Sequence, residues 1–206
     1  MSRLVGFLIL ICLVGYVQGA SVGGDTAPDG TMSQCRLPMA LRKSNVGGSD
    51  GAGLCVFTSI GHSAEYQNVY QLKEFQLWMT KHPGGGYPEK VDTMIAKLCQ
   101  EKGWPKPIYI QNTTGDLELL KRACQSGRMP GITYGFSPSG RYGGGKISHM
   151  VSLVHAKGDV WGILDNNFIK DIEWLNTEEF RKTFASGGGN WSVILIQAGP
   201  PPALRN

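Results

Sequence analysis

After residue 20 the chain has no apolar run long enough to cross a bilayer, so its body carries no membrane span. It has no C-x-x-C and no H-x₃-H pair, which removes the ligand spacings of the common zinc sites. It has no basic run with interleaved aromatics: 20 Lys and Arg stand against 16 Asp and Glu and are scattered, so nucleic acid is excluded as a partner. No internal repeat is visible, which excludes a solenoid. Histidine is scarce at four residues, so any search for a proton-transferring base is short. Glycine is abundant, but the triplets at 84–86, 143–145 and 187–189 punctuate the chain rather than build a low-complexity domain.

What is present suits one core. At 206 residues and 41% hydrophobic content the chain is long enough for a single domain with short tails. Residues 1–20 have one early Arg3, an apolar run from Leu4 to Val17 and then small residues, which is the pattern of a secretory signal peptide. The expected destination is secreted or periplasmic, an uncleaved membrane anchor being the alternative. Residues 21–46 read as a flexible leader, 47–198 as the folded domain and 199–206 as a proline-rich tail. Cys12 lies in the leading segment; Cys35, Cys55, Cys99 and Cys124 remain, and an oxidising compartment favours disulfides among them. Cys99 and Cys124 both fall near the ends of predicted helices, and a Cys99–Cys124 bridge is expected.

Apolar periodicity predicts helices over 55–68, 69–80, 88–102, 115–126 and 177–184, and strands over 107–111, 129–136, 147–155, 160–164, 171–174 and 191–197. Helices come first and strands last. That order implies an α+β protein in which an antiparallel sheet packs against the leading helices.

The stretch GSDGAGLCVFTSIGHSA, 48–64, organises the chemistry. Its glycines allow a sharp turn that delivers Cys55 to the start of a helix. There the free backbone N–H groups and the positive end of the helix dipole favour a thiolate, the nucleophilic form. The competing role is a small buried core residue. A thiol nucleophile needs a base and something to hold that base. His62 lies two turns along the same helix, roughly 10 Å away, too far for a direct hydrogen bond. His82 sits in a breaker loop. His149 and His155 lie six residues apart on one predicted strand, hence on one face. His149 opens that strand just after the glycine-rich loop SPSGRYGGGK. A short hairpin folds the next strand back, so Asp165 and Asn166 arrive at the same end of the sheet, where either can orient the imidazole.

Cysteine, then histidine, then Asp/Asn, with a helix carrying the first and strands the rest, resembles the papain-like cysteine peptidases. Within them, HMVSLVH–x₄–VWGILDNN–x₆–WLNTEEF is similar to the C39-type, bacteriocin-processing-like peptidases. The resemblance covers residues 48–197 and is strongest in the C-terminal half. It implies a papain-like fold, Cys55 as nucleophile, His149 as base and Asp165 as orienting residue, with Asn166 as the alternative orienter. It implies a peptide or protein substrate, no cofactor and no metal. The chain departs from the family in two places. Where those peptidases have a glutamine ahead of the cysteine that helps bind the oxyanion, this chain has Ser49 beside Asp50; Asn45 and Gln34 are the other candidates for that task. And Leu54-Cys55-Val56 stands where Asp-Cys-Gly is usual. Three functions are therefore in view: an exported thiol hydrolase of amide bonds, a catalytically weak binding module on the same fold, and an amide acyl transferase.

Overall fold

The structure is a computed structural model that describes residues 19–47 and 53–197. The apolar leading segment up to residue 18, Ser49 and Asp50, and the proline-rich tail lie outside the described residues. The elements run in the order β1 (Ser21–Gly23), α1 (Cys55–Gln67), α2 (Phe75–Met79), α3 (Pro88–Lys102), β2 (Tyr109–Asn112), α4 (Leu117–Gln125), β3 (Gly131–Tyr134), β4 (His149–Lys157), β5 (Val160–Leu164), β6 (Ile172–Asn176), α5 (Thr177–Ser186) and β7 (Ser192–Leu195). All seven strands join one antiparallel sheet in the order β1-β6-β5-β4-β3-β7-β2, so the fold class is α+β. Among the described residues no helix is long and apolar enough to cross a membrane.

The alternation of side chains along a strand divides the core into two layers. Met150 of β4, with Val193 and Leu195 of β7, packs with Phe57 and Ile60 of α1, Phe75 and Met79 of α2, and Ile95 of α3. Val151 and Leu153 of β4 and Ile194 of β7 join the other layer, with Leu120 of α4 and Phe180 and Phe184 of α5. The leading helices thus cover one face, and α4 and α5 cover the other. The second helix read from the sequence is shorter than expected: a 3₁₀ turn at Tyr70–Leu72 precedes α2, which has only five residues.

Three expectations are corrected here. Residues 21–46 are no loose leader. β1 pairs with β6, Arg42 is salt-bridged to Asp25 at 2.7 Å, and Cys35 N–H donates to the carbonyl of Val154 at 2.9 Å. Leu37 and Cys35 are each only 1% exposed, so this segment contributes core rather than skirting it. Second, His149 and His155 do not share a face by simple alternation, because the register of β4 against β5 shifts between Leu153 and His155. Val154 and Ala156 then join the same layer as Val151 and Leu153. Third, Cys99 and Cys124 lie in different layers and are free thiols, so they do not form the expected bridge.

His62 turns out to be structural. It is fully buried, its Nε2 accepts from the Lys43 N–H at 2.8 Å, and its Nδ1 lies 3.2 Å from the Ser152 hydroxyl. Burial pushes it down to about 4, although the Lys43 backbone contact works the other way. The neutral ring therefore pins the chain that leads toward Cys55.

Candidate active site

Cys55 is the first residue of α1. The helix N-cap is Leu54, which has no polar side chain to offer the first turn and makes no side-chain cap. By contrast α4 is capped by Asp116 and α5 by a full capping box of Asn176 and Glu179. α1, like α2 and α3, thus starts without a side-chain cap, and it is the helix start that bears a cysteine.

His149 opens β4 opposite Tyr134 of β3. Asp165 follows directly on β5, and the β4–β5 hairpin brings the two together: His149 Nε2 lies 2.9 Å from Asp165 Oδ1. Nε2–H is thereby the donor to Asp165, and Nδ1 is the nitrogen left for the thiol. Cys55 lines the same cleft as this ring and, with Asp165, favours its charged form. The structure therefore brings Cys55, His149 and Asp165 together, all buried.

The electrostatics follow from this contact chain. Burial opposes a charge on His149, but Asp165 and Cys55 outweigh it and push the imidazole up to about 9. Burial also works against the Asp165 carboxylate. His149, the Tyr142 hydroxyl and the Asn167 N–H together hold it below its ordinary value. The sign for stability is fixed by the raised histidine. Its charge contributes fully below pH 6.5, and the contribution is lost as the pH rises through about 9. Thermal melts across this range should show wild type losing stability toward pH 9. In Cys55→Ala the loss should be smaller and set in at lower pH, because one of the groups raising His149 is gone. Identical pH profiles would show that Cys55 does not act on the ring.

Asn166 does a different job from the one expected of it. Its Nδ2 lies 3.2 Å from the Cys55 carbonyl, 2.9 Å from the Ser59 hydroxyl and 2.9 Å from the Met150 carbonyl. It fastens the first turn of α1 to β4 and makes no bond to His149, whose hydrogen-bond partner is Asp165 and not Asn166. Asn45 supports this fastening, its N–H donating to the Asn166 carbonyl at 2.8 Å. Asn45 does not line the cleft at Cys55. Gln34 is occupied elsewhere: its Oε1 accepts from the Ala156 N–H at 2.7 Å, near the opposite end of β4 from His149. Ser49 lies outside the described residues.

Neither family pattern nor spacing singled out Tyr142. Its hydroxyl donates to Asp165 Oδ2 at 2.7 Å and accepts from Asn167 Nδ2 at 3.0 Å, and its ring meets His149 edge-on with centroids 6.1 Å apart. The only signal in the sequence is an aromatic residue set between glycines in the loop before His149. That loop is tied down by Glu173, a fully buried carboxylate that accepts from the Tyr134 hydroxyl, the Ser137 hydroxyl at 2.6 Å and the Ser139 N–H at 2.8 Å.

Cys55 and His149 open onto a cleft of about 200 Å³. Its walls include Gly85, Gly86 and Tyr87 ahead of α3, Gly187 and Gly188 after α5, and Trp191. The glycines are required by close approach: a Cβ on Gly86 would come within 2.6 Å of Val56, and one on Gly187 within 2.4 Å of the Tyr134 nitrogen. The backbone thereby walls the cleft beside the thiol.

No protein-family model matches the chain, and no curated protein is significantly similar to it. The functional reading therefore rests on the geometry and on the local resemblance of its motifs. Among the described residues no group of three or more His, Cys, Asp or Glu side chains is arranged to hold a metal ion.

Proposed function

We propose that the chain is an exported thiol hydrolase of the papain-like kind, most similar to the C39-type peptidases, that cleaves a peptide or related amide bond. The observation that carries this reading is a single imidazole bonded to a buried carboxylate and sharing a cleft with a cysteine at the start of a helix. In this mechanism the Cys55 sulfur attacks the amide carbon. His149, protonated when the thiol has given up its proton, then delivers that proton to the departing amine. Asp165 accepts from Nε2–H throughout, which keeps Nδ1 aimed at the sulfur. The oxyanion is stabilised at the amide end of α1, the Cys55 N–H among its donors. Water enters as the amine leaves, His149 accepts its proton, and the thioester is hydrolysed.

Labelling with iodoacetamide tests the central pair. At about pH 6 an isolated thiol is almost entirely protonated and slow. The reading expects Cys55 to be labelled readily at that pH in wild type and at least tenfold more slowly in His149→Ala. Equal rates would mean that His149 does not activate the thiol. Adding an amine nucleophile during turnover then separates hydrolysis from transfer, because a transferase gives the amine adduct as its main product.

A further inference from the structure

Two buried cysteines outside the site lie together. Cys35 sits in the N-terminal segment, and its thiol lies 3.9 Å from the carbonyl oxygen of Cys124 and 3.4 Å from that of Arg128. Cys124 is in the last turn of α4, with its thiol 3.7 Å from the Leu153 carbonyl. The Cys35 backbone bonds Val154, so the two cysteines are seated on adjacent residues of β4. Each is only 1% exposed and both belong to the core layer formed with α4 and α5. The Cys35 thiol thus stands against the Cys124 backbone, and burial first, then Cys35, raises the Cys124 thiol well above the ordinary range. Cys55 and Cys99 are in the other layer.

We propose that Cys35 and Cys124 are joined by a disulfide in the exported protein, formed by exchange with an external disulfide such as oxidised glutathione or a protein disulfide. This inference takes the oxidising compartment from the proposed export, and it makes no use of the catalytic reading. In the exchange one of the two cysteine thiolates attacks the external disulfide, forming a mixed disulfide and releasing one thiolate. The second cysteine thiolate then attacks the protein sulfur of that mixed disulfide and releases the other. The cysteine pair loses two electrons, the external disulfide gains them, and the two cysteine protons end on the two released thiols.

Because both sulfurs are buried, exchange requires the core to open, so the bridge forms as the chain folds rather than on the finished surface. It spans 89 positions of sequence and fastens the N-terminal segment to α4. That segment also carries Asn45, which bonds Asn166, which in turn holds the Cys55 carbonyl. The bridge is thus an anchor for the chain on the approach to the nucleophile, while leaving Cys55 as a free thiol.

The test uses the full chain carrying Cys55→Ala, so that the sulfur on the cleft does not trap glutathione. Reduced protein is brought to equilibrium in a buffer of oxidised and reduced glutathione with enough urea to open the core transiently. It is then quenched in acid, denatured, alkylated and mapped by peptide mass. The expected product is a peptide pair linking Cys35 to Cys124, lighter than the two separate thiol peptides by two hydrogen atoms, with Cys99 alkylated. The linked form should unfold at a higher urea concentration than the reduced form, and this increment should be missing in Cys35→Ala but kept in Cys99→Ala. Full alkylation of Cys35 and Cys124 at equilibrium overturns the proposal, as does a linked pair that contains Cys99. Neither result bears on iodoacetamide labelling of Cys55, so failure here and failure of the hydrolase reading are distinguishable.

Discussion

Cys55→Ala should lower kcat on a peptide-library substrate by about 10⁶, to near the uncatalysed background, with the fold retained. Among the described residues the sulfur is the only thiol lining the cleft. The two hydroxyls of its own helix nearest to it are committed: Thr58 Oγ1 donates to the Leu54 carbonyl at 2.8 Å, and Ser59 Oγ to the Met150 carbonyl at 3.0 Å. Removing one sulfur from a residue already 6% exposed leaves a small void, so circular dichroism should stay close to wild type and the melting temperature at neutral pH should fall only by the share of the His149 charge that Cys55 supports. The double variant Cys55→Ala/His149→Ala should be no slower than Cys55→Ala alone, because the base has nothing to act on once the nucleophile is gone. A Cys55→Ala protein that keeps even a tenth of the wild-type rate would place the chemistry elsewhere.

Asp165→Asn is expected to cost about 10⁴ in kcat, although the papain branch of the resemblance itself uses an asparagine at this step. The reason is local. Asp165 Oδ1 accepts from both His149 Nε2 and the Asn167 N–H, and Oδ2 accepts from the Tyr142 hydroxyl. Both oxygens face donors. An amide offers one acceptor and one NH₂, so whichever way it turns, its NH₂ meets a group that was donating. The Tyr142 hydroxyl, already accepting from Asn167, has to reorient, or the imidazole is forced into the tautomer that points its lone pair the wrong way. Asp165 is also one of the two groups that raise His149, so its titration midpoint, followed by ring-proton NMR, should fall in the variant. A purely structural Asp165 would lower stability but leave that midpoint tracking wild type.

The part of the site that could be read in the sequence is the part fixed by short-range geometry. A hairpin folded about the turn at Lys157–Asp159 necessarily returns Asp165 to the level of His149, and the structure has them 2.9 Å apart. The β-bulge between Leu153 and His155 was not legible, since the period-2 rule assumes an unbroken ladder and nothing local marks the extra residue. Residues 21–46 were misjudged for a related reason. Their small and polar composition matches a loose segment, but Cys35 and Leu37 are buried by partners far along the chain, and only those partners make them core. Asn166 stands as the alternative orienter because the papain branch uses an asparagine at this step. On the strand end, neighbouring side chains point apart, so Asp165 meets His149 while Asn166 reaches under the helix to the Cys55 carbonyl. Tyr142 could not be found by spacing at all, because it reaches Asp165 out of a loop whose course is set by the distant Glu173.

The two-layered core bears on how this protein can fail. Cys55 belongs to the layer beneath α1 to α3, whereas Asp165 is held at the end of a strand whose Trp161, Ile163 and Leu164 belong to the layer beneath α4 and α5. The reactive group and its support are thus tethered to opposite sides of the sheet. Loosening of either side pulls one of them away while the other stays in place. A partly unfolded chain, or a fragment keeping a single layer, holds a cysteine or a His–Asp pair but not both in register. On the proposed reading, activity therefore reports all-or-none on the integrity of both layers, and a chain still being synthesised stays inert until β7 has closed.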